Sequence, residues 1–248
     1  MNNLLHENER IDDLQINNLK IIQNPDGFCF GIDSVLLSDF AKKMKKNAKV
    51  VDLGTGTGII SILLTAKTSS QSILGVEIQE NVADMARRSV ILNNLENKIN
   101  IINDDIRNLD KKLELGTYDV VVTNPPYMKD NSGLKNENNA KLISRHEVEC
   151  TLEDIARITQ KLLNNNGEIY MVHRPDRLVD IMEIFRKFKL EIKEIRMVYP
   201  NREANANLVL IKAVKNGKAF LKIQKPLYVY EENGKYTNDI LIIYNKIN

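Results

Sequence analysis

The residues best equipped for chemistry lie in four short segments, each at the end of an apolar run. The first, Asp52-Leu53-Gly54-Thr55-Gly56-Thr57-Gly58, follows Lys49-Val50-Val51 and precedes a second apolar run from Ile59. Glycines let a backbone turn sharply and approach a ligand closely, and a helix start beyond them offers unpaired N–H groups. The spacing departs from the dinucleotide fingerprint, which needs glycine where this chain has Ile59. It also lacks the Gly-Lys-Ser/Thr of a phosphate-binding loop. Alone, such a loop is also what a tight strand-to-helix turn looks like. Two acidic positions narrow the reading. Glu77 ends the next apolar run, where a carboxylate can accept hydrogen bonds from two ribose hydroxyls. Asp104 and Asp105 end the run after that, where either can accept from an adenine amino group. Together the three features select an adenosine-bearing ligand.

The remaining segment is Asn124-Pro125-Pro126-Tyr127, after Tyr118-Asp-Val-Val-Val-Thr123. Proline has no N–H, so the Pro125 carbonyl accepts without a competing donor beside it, and the Asn124 side-chain oxygen accepts as well. Two acceptors aimed at one exocyclic NH₂ hold both of its hydrogens and turn the nitrogen lone pair toward an electrophile. Tyr127 offers a stacking face, worth about 1–3 kcal/mol per base. Transfer to that nitrogen is then an in-line displacement driven by orientation, with no metal and no covalent intermediate required. The bland alternative is a turn that ends a strand. Its position at the end of a later strand in the same alternating run ties it to the glycine loop instead.

Such segments meet only if strand ends share one edge, and the chain has the alternation that achieves this. Strands are expected at 49–53, 72–77, 99–103 and 118–123, with helices over 59–67 and 81–93 between them. Continuous runs such as Val120-Val121-Val122 fit strands buried on both faces. Thr151-Leu-Glu-Asp154 reads as an N-cap opening a helix to Asn164, Gly167 as its C-terminal cap, and 168–172 as a strand. A helix over 176–189 and an antiparallel pair, 192–199 with 208–214, close the sheet, followed by a turn at Asn233-Gly234 and a short helix near 238–244. Upstream, 19–23 reads as a strand ending at Pro25-Asp26-Gly27, with 28–31 as a second strand and 32–44 as a helix. The expected fold is therefore α/β: a doubly wound, mostly parallel seven-stranded sheet with an antiparallel final hairpin and a small N-terminal extension. We divide it into an extension, 1–48, packing on a catalytic domain, 49–248.

At 248 residues, 43% hydrophobic and 27% charged, the chain has ordinary globular composition, which excludes disordered and fibrous classes. No apolar run approaches a bilayer span, and Met1 to Arg10 has no signal-peptide core. Cys29 and Cys150 lie far apart without a CxxC partner, so neither disulfide framework nor zinc site is suggested and a reducing cytoplasm is expected. The net charge of +2 neither demands nor excludes nucleic acid. Its sharpest cluster, Lys42-Lys43-Met44-Lys45-Lys46, is either a solvated helix end or a phosphate-contacting patch.

On the glycine loop and its acids the sequence resembles the class I methyltransferases that bind S-adenosylmethionine (SAM). The resemblance implies that Asp52, Gly54, Thr55, Gly56 and Gly58 hold the methionine part, Glu77 with Ile78 the ribose, and Asp104 or Asp105 with Ile106 the adenine. Asn124-Pro125-Pro126-Tyr127 resembles the motif of adenine-N6 methyltransferases, and is shared with enzymes that methylate glutamine amides of peptide-release factors. Further segments are similar to the bacterial valine-tRNA adenine-37 N6-methyltransferase family: Phe30-Gly31-Ile32-Asp33, Ile143-Ser144-Arg145-His146-Glu147 and His173-Arg174-Pro175-Asp176-Arg177-Leu178. Pro226-Leu227-Tyr228-Val229-Tyr230 and Tyr236-Thr237 match its Gram-positive branch. That family implies Gly31, Asp33 and Asn124 beside the cofactor.

The polar stretch 128–143, with four asparagines and one glycine, is too long for a simple connection and reads as a substrate loop. Arg145 and His146 rejoin it to the fold, as a salt-bridging arginine and capping histidine or as RNA contacts. Arg174 and Arg177 open a helix, an unfavourable place for cations without a partner, and phosphate is one such partner. The expected substrate is a tRNA anticodon loop, whose adenine is already partly unpaired and turns into a pocket cheaply. Release-factor enzymes carry an N-terminal helical domain of about 80 residues by the same resemblance, whereas here about 48 residues, partly β, precede the first cofactor strand. A non-catalytic SAM- or RNA-binding protein is the third alternative; Asn124 and Tyr127 beside an intact loop speak against it.

Overall fold

A computed structural model of the chain describes residues 4–27, 29–126 and 150–247. Its first elements are a hairpin, Arg10–Asp13 (β1) with Lys20–Gln23 (β2), paired antiparallel from Arg10 opposite Gln23 to Asp13 opposite Lys20. The second strand was expected at 28–31; Phe28 lies outside the described residues, and 29–31 form no strand. The connection explains the difference. Gln15, Asn17 and Asn18 take left-handed backbone (φ 56°, 50° and 57°), and the Leu14 N–H donates to Leu19 O at 2.9 Å, closing the chain back on β1.

Helix α1 (Ile32–Phe40) follows, then Lys49–Leu53 (β3), α2 (Ile59–Lys67), Ser72–Glu77 (β4), α3 (Glu80–Leu92), Ile99–Asn103 (β5) and Tyr118–Thr123 (β6). Beyond residue 150 come α4 (Leu152–Leu162), β7 (Leu163–His173), α5 (Leu178–Lys187), β8 (Leu190–Tyr199) and β9 (Leu208–Lys215). The two-residue strands β10 (Lys222–Ile223) and β11 (Leu227–Tyr228) and helix α6 (Asn238–Ile243) complete it. The main sheet runs β10-β8-β9-β7-β6-β3-β4-β5, with β11 also paired to β8. Seven strands, β3 to β9, form the expected sheet, and only β9 runs against its neighbours. The two short strands widen it to nine, because Lys222–Ile223 and Leu227–Tyr228 pair parallel with β8 and cover its edge.

Alternation along each strand builds two cores, one on each face. Val50, Val120 and Val122 join helices α1, α2 and α3 on one side. Val51 and Val121 join α4 and α5 on the other. Leu14, Ile16 and Ile21 from the N-terminal hairpin belong to the first core. Side chains of α3 also hold that hairpin by its backbone: Ser89 Oγ accepts from Ile22 N at 2.9 Å, and Asn93 Oδ1 accepts from Lys20 N at 2.9 Å. Arg88, nearly buried, donates to Glu9 (2.8 Å) and to Leu4 O (2.6 Å).

The expected cap on α4 is present as a reciprocal box, with Asp154 N donating to Thr151 Oγ1 and Thr151 N to Asp154 Oδ2, both at 3.1 Å. Its other end differs. The helix stops at Leu162, and Asn166 (φ 63°), not Gly167, takes the left-handed conformation inside an irregular start of β7. Asparagine tolerates that region because its side chain hydrogen-bonds locally, so glycine is not required there.

Candidate active site

Chain order reverses at β3: β4 and β5 lie on one side of it, β6 and β7 on the other. In such sheets ligands bind in the crevice at the carboxyl ends of the strands flanking the switch. Register brings those ends level, with Leu53 beside both Val76 and Thr123, Glu77 beside Asn103, and Thr123 beside Met171. Thr123 Oγ1 donates to Leu53 O at 2.9 Å and ties β6 to β3 across the switch. The segments after these strands, from Gly54, Ile78, Asp104, Asn124 and Arg174, therefore share one edge.

The glycine loop is shaped by what it must turn around. Gly54, Gly56 and Gly58 all take positive φ (71°, 58° and 89°), which side chains rarely adopt. A Cβ at Gly54 or Gly56 would meet no other group within 4 Å, so both backbones face open space that a ligand can fill. The Gly54 and Thr55 N–H groups donate to Val76 O (3.0 and 2.9 Å), and Gly56 N donates to Glu77 Oε2 at 3.1 Å. Gly75 lets Thr55 lie down on the sheet: a Cβ there would come within 2.5 Å of Ile101 Cδ1 and 3.0 Å of Thr55 Cγ2.

Asp52 lies beneath this loop, fully buried. Its Oδ2 accepts from Thr55 Oγ1 at 2.6 Å and from Ser61 Oγ at 2.8 Å, while Oδ1 has no hydrogen-bond partner among the described residues. Burial pushes its carboxyl up to about 6 against the help of those hydroxyls, and the nearby Glu77 adds to the rise. Glu77, also buried, accepts from Gln79 N at 3.0 Å through its second oxygen. Two carboxylates under an open glycine cradle make a negative inner wall. That suits a cofactor bearing a sulfonium and an ammonium, so the residues present fit SAM.

At the next strand end, Asp104 accepts from Asp105 N (2.8 Å) and pairs with Lys112, while Asp105 caps the following 3₁₀ turn by accepting from Arg107 N at 2.8 Å. Burial raises the Asp105 carboxyl, but the Arg107 guanidinium and N–H outweigh it and hold it below the ordinary carboxylate range. Ile78 is partly exposed and Ile106 buried beside them. Asn103 donates to both Glu77 O and Ile78 O at 2.9 Å, which fixes the backbone leaving β4.

Across the switch, Asn124 is half-buried, Pro125 buried and Pro126 exposed. The Asn124 amide nitrogen donates to Ser34 Oγ at 3.3 Å. Ser34 opens α1 beside Asp33, whose Oδ1 accepts from Ser34 N at 2.9 Å. A Cβ at Gly31 would come within 2.9 Å of that same oxygen, so glycine allows the close approach. The Gly31–Asp33 segment thus meets Asn124, far along the chain, through Ser34. Tyr127, Arg145 and His146 lie outside the described residues.

Arg174 follows β7 on the same edge and donates to Asn207 O at 3.0 Å. Arg177 is paired with Asp180 at 2.7 Å, so its partner at the helix start is a carboxylate of its own helix. His173 is buried, accepts from Arg174 N at 2.8 Å, and is pushed by burial down to about 4. The lysine cluster sits at the opposite end of the strands: Lys45 bonds Asp119 near the start of β6 (2.9 Å), and Lys42 pairs with Asp39 (3.1 Å). It belongs to the far edge from Asn124. Ser34, Ser61, Gly75 and Asn103 were not singled out from the sequence. Ser61 alone left a signal, a lone hydroxyl inside Ile59-Ile60-Ser61-Ile62-Leu63-Leu64.

Among the described residues no helix is long and apolar enough to cross a membrane. The model of the methyltransferase small domain matches residues 19–194. A tRNA1(Val) (adenine(37)-N6)-methyltransferase of Porphyromonas gingivalis is 30% identical over 183 residues, covering 70% of each chain. The Bacteroides fragilis protein of the same name is 28% identical over 173 residues, covering 70% of this chain and 68% of its own. Among solved structures, a predicted O-methyltransferase from Agrobacterium tumefaciens superposes with TM-score 0.69 at 21% identity, over 86% of this chain and 95% of that one. The M. jannaschii tRNA m1G37 methyltransferase does so with TM-score 0.59 at 18% identity, over 86% and 59%. Both share the doubly wound fold. The chain belongs to the methyltransferase small domain family and, within it, to the group that includes the tRNA1(Val) (adenine(37)-N6)-methyltransferases.

Proposed function

We propose that this chain transfers the methyl group of SAM to the exocyclic N6 of an adenine in tRNA, adenine 37 of an anticodon loop turned out into the site. The observation that carries the reading is the meeting of Asn124-Pro125 with the glycine cradle at one switch point, Asn124 being oriented by Ser34. Asp52, Gly54, Thr55, Gly56 and Gly58 hold the methionine end, Glu77 with Ile78 the ribose, and the Asp104–Asp105 pair with Ile106 the adenine; Gly31 and Asp33 line the same space. When bound, SAM supplies a methyl group activated by its sulfonium. Asn124 Oδ1 and Pro125 O accept from the target NH₂ and so set the direction of its lone pair. Tyr127 stacks on the target base, and Arg145, His146 and Arg174 contact the RNA around it. Residues 1–48 act as an extension built onto the catalytic unit 49–248, and the work is cytoplasmic.

Methyl transfer from labelled SAM to total tRNA from cells lacking this protein, and separately to peptide-release factor, tests the reading. Label recovered as N6-methyladenosine is the expected result. Label in release factor alone would keep the acceptor geometry and overturn the substrate.

A further inference from the structure

Five of the chain's eight tyrosines fall between Tyr199 and Tyr244, and the transfer chemistry uses none of them. Three form a stack. Tyr230 and Tyr236 face each other across an isolated antiparallel bridge with ring centroids 5.3 Å apart and planes 14° apart. Tyr236 and Tyr244 continue it at 5.8 Å and 19°. Exposure rises along the stack: Tyr244 and Tyr236 are half-buried, whereas Tyr230 is 41% exposed. A second pair, Tyr199 and Tyr228, lies 5.4 Å centroid to centroid, with the Arg202 guanidinium 5.0 Å over the Tyr228 ring. Arg202 is exposed and forms no ion pair among the described residues.

The position of this cluster gives it meaning. Strand β8 runs antiparallel to β9, and β9 antiparallel to β7, so β8 ends on the same edge as the glycine loop and Asn124. Tyr230 N donates to Pro200 O at 2.8 Å, directly beyond that end. Strand β11, which leads into Tyr230, pairs with the outer side of β8, so four strand intervals separate it from β6 and put the exposed ring roughly 19 Å from the acceptor motif along the edge. The segment between Tyr199 and β9 also carries Asn207, whose carbonyl accepts from Arg174, so this surface is joined to the arginine beside the site.

We propose that Tyr230, backed by Tyr236 and Tyr244 and flanked by Arg202, is a second base-binding subsite that receives an unpaired nucleobase near the methylated adenine; this rests on RNA being the substrate. A ring already stacked on its inner face is rigid, and a base adds to its outer face with little ordering cost. Burial and the neighbouring phenols push Tyr236 upward, and Tyr244 up to about 12, so the two backing rings stay neutral at neutral pH. Arg202, held on Tyr228, supplies the cation for the adjoining phosphate. Exposed Glu231 and Glu232, on the turn after Tyr230, repel phosphate, so the RNA backbone lies on the Arg202 side.

The test measures binding of a fluorescent RNA hairpin with an unpaired, adenine-containing loop by the wild type, Tyr230→Ala and Tyr230→Phe. The hairpin is used intact and with single abasic replacements around its loop. We expect Tyr230→Ala to weaken Kd about tenfold and Tyr230→Phe to bind like the wild type. One abasic position should cost the wild type the same factor and cost Tyr230→Ala nothing further. Equal Kd for wild type and Tyr230→Ala, or losses that multiply at every abasic position, would overturn the subsite. A wild type that shows this coupling yet methylates no adenine would leave the subsite standing and remove the acceptor reading. One that does not bind the hairpin overturns the subsite, while label recovered in total tRNA would still uphold the acceptor reading.

Discussion

Replacing Asp52 by asparagine removes a buried negative charge while keeping the side-chain shape, and the consequences reach both stability and cofactor binding. Burial raises the Asp52 carboxyl from 3.8 to about 6. The folded protein therefore holds this proton more tightly than the unfolded chain. Stability from this group is fully present below about pH 4 and is lost as pH rises toward about 6. A shift of about two pH units, at about 1.4 kcal/mol each, makes the full loss close to 3 kcal/mol. Roughly 2 kcal/mol of it falls between about pH 4.5 and pH 7. Asp105, Asp110, Asp119 and Glu9 are held low by their partners and slope the other way, but they are common to both proteins. The difference in urea-unfolding free energy between Asp52→Asn and the wild type isolates Asp52 and should move in the variant's favour by that amount across the interval. Binding runs in the opposite sense. An ionised Asp52 under the loop favours a cationic ligand above it, and about a tenth of the groups are ionised one unit below the pKa. Wild-type affinity for SAM, read by calorimetry, should thus rise about tenfold from about pH 5 to pH 7. The variant should bind weakly and with a flat profile. Parallel pH profiles of the two proteins in both measurements would refute the argument.

Three further substitutions probe the remaining parts of the site. Asn124→Ala should reduce kcat to background in the tRNA assay while SAM affinity stays within a few-fold; undiminished turnover would remove the acceptor geometry. Glu77→Ala loses the partner of Gly56 N and the proposed ribose contact, so SAM should bind ten- to a hundredfold more weakly, about 1.5–3 kcal/mol, by equilibrium titration. Gly75→Ala drives a methyl into Ile101 and Thr55 and should lower stability by about 1–3 kcal/mol and weaken SAM binding. Adding Ile101→Val, which deletes the carbon that is struck, should restore much of both; a double variant no better than Gly75→Ala would show the collision is not the cause.

The sheet and its ligand edge were legible because they rest on local signals: apolar runs such as Val120-Val121-Val122, and glycines and acids placed where those runs end. What could not be read was decided by distant partners. Arg10-Ile11-Asp12-Asp13 has a single apolar residue, and its place beside β2 is supported by Arg88 and Ser89 of α3 and the Asn93 cap, which hold Glu9, Ile22 and Lys20. Ser34 lies 90 residues from Asn124, so no spacing rule could join them. For Arg177 the sequence left the partner open, with phosphate as one choice, and the structure supplies Asp180, one turn on. Asn166 displaced Gly167 at the left-handed position because asparagine serves there nearly as well.

The hold of α3 on the N-terminal hairpin also orders events during synthesis. The backbone bonds from Ile22 to Ser89 and from Lys20 to Asn93 span 67 and 73 residues. At roughly 5–20 residues per second the ribosome needs about 3–15 seconds to make that stretch. A two-stranded ribbon is marginal in water by itself. Through that interval Leu14, Ile16, Ile21 and Ile22, all buried in the finished fold, lack α3 to cover them. The nascent chain is therefore at its most adhesive before the cofactor loop and α3 have both emerged, and a chaperone acting on it would find its binding segment there.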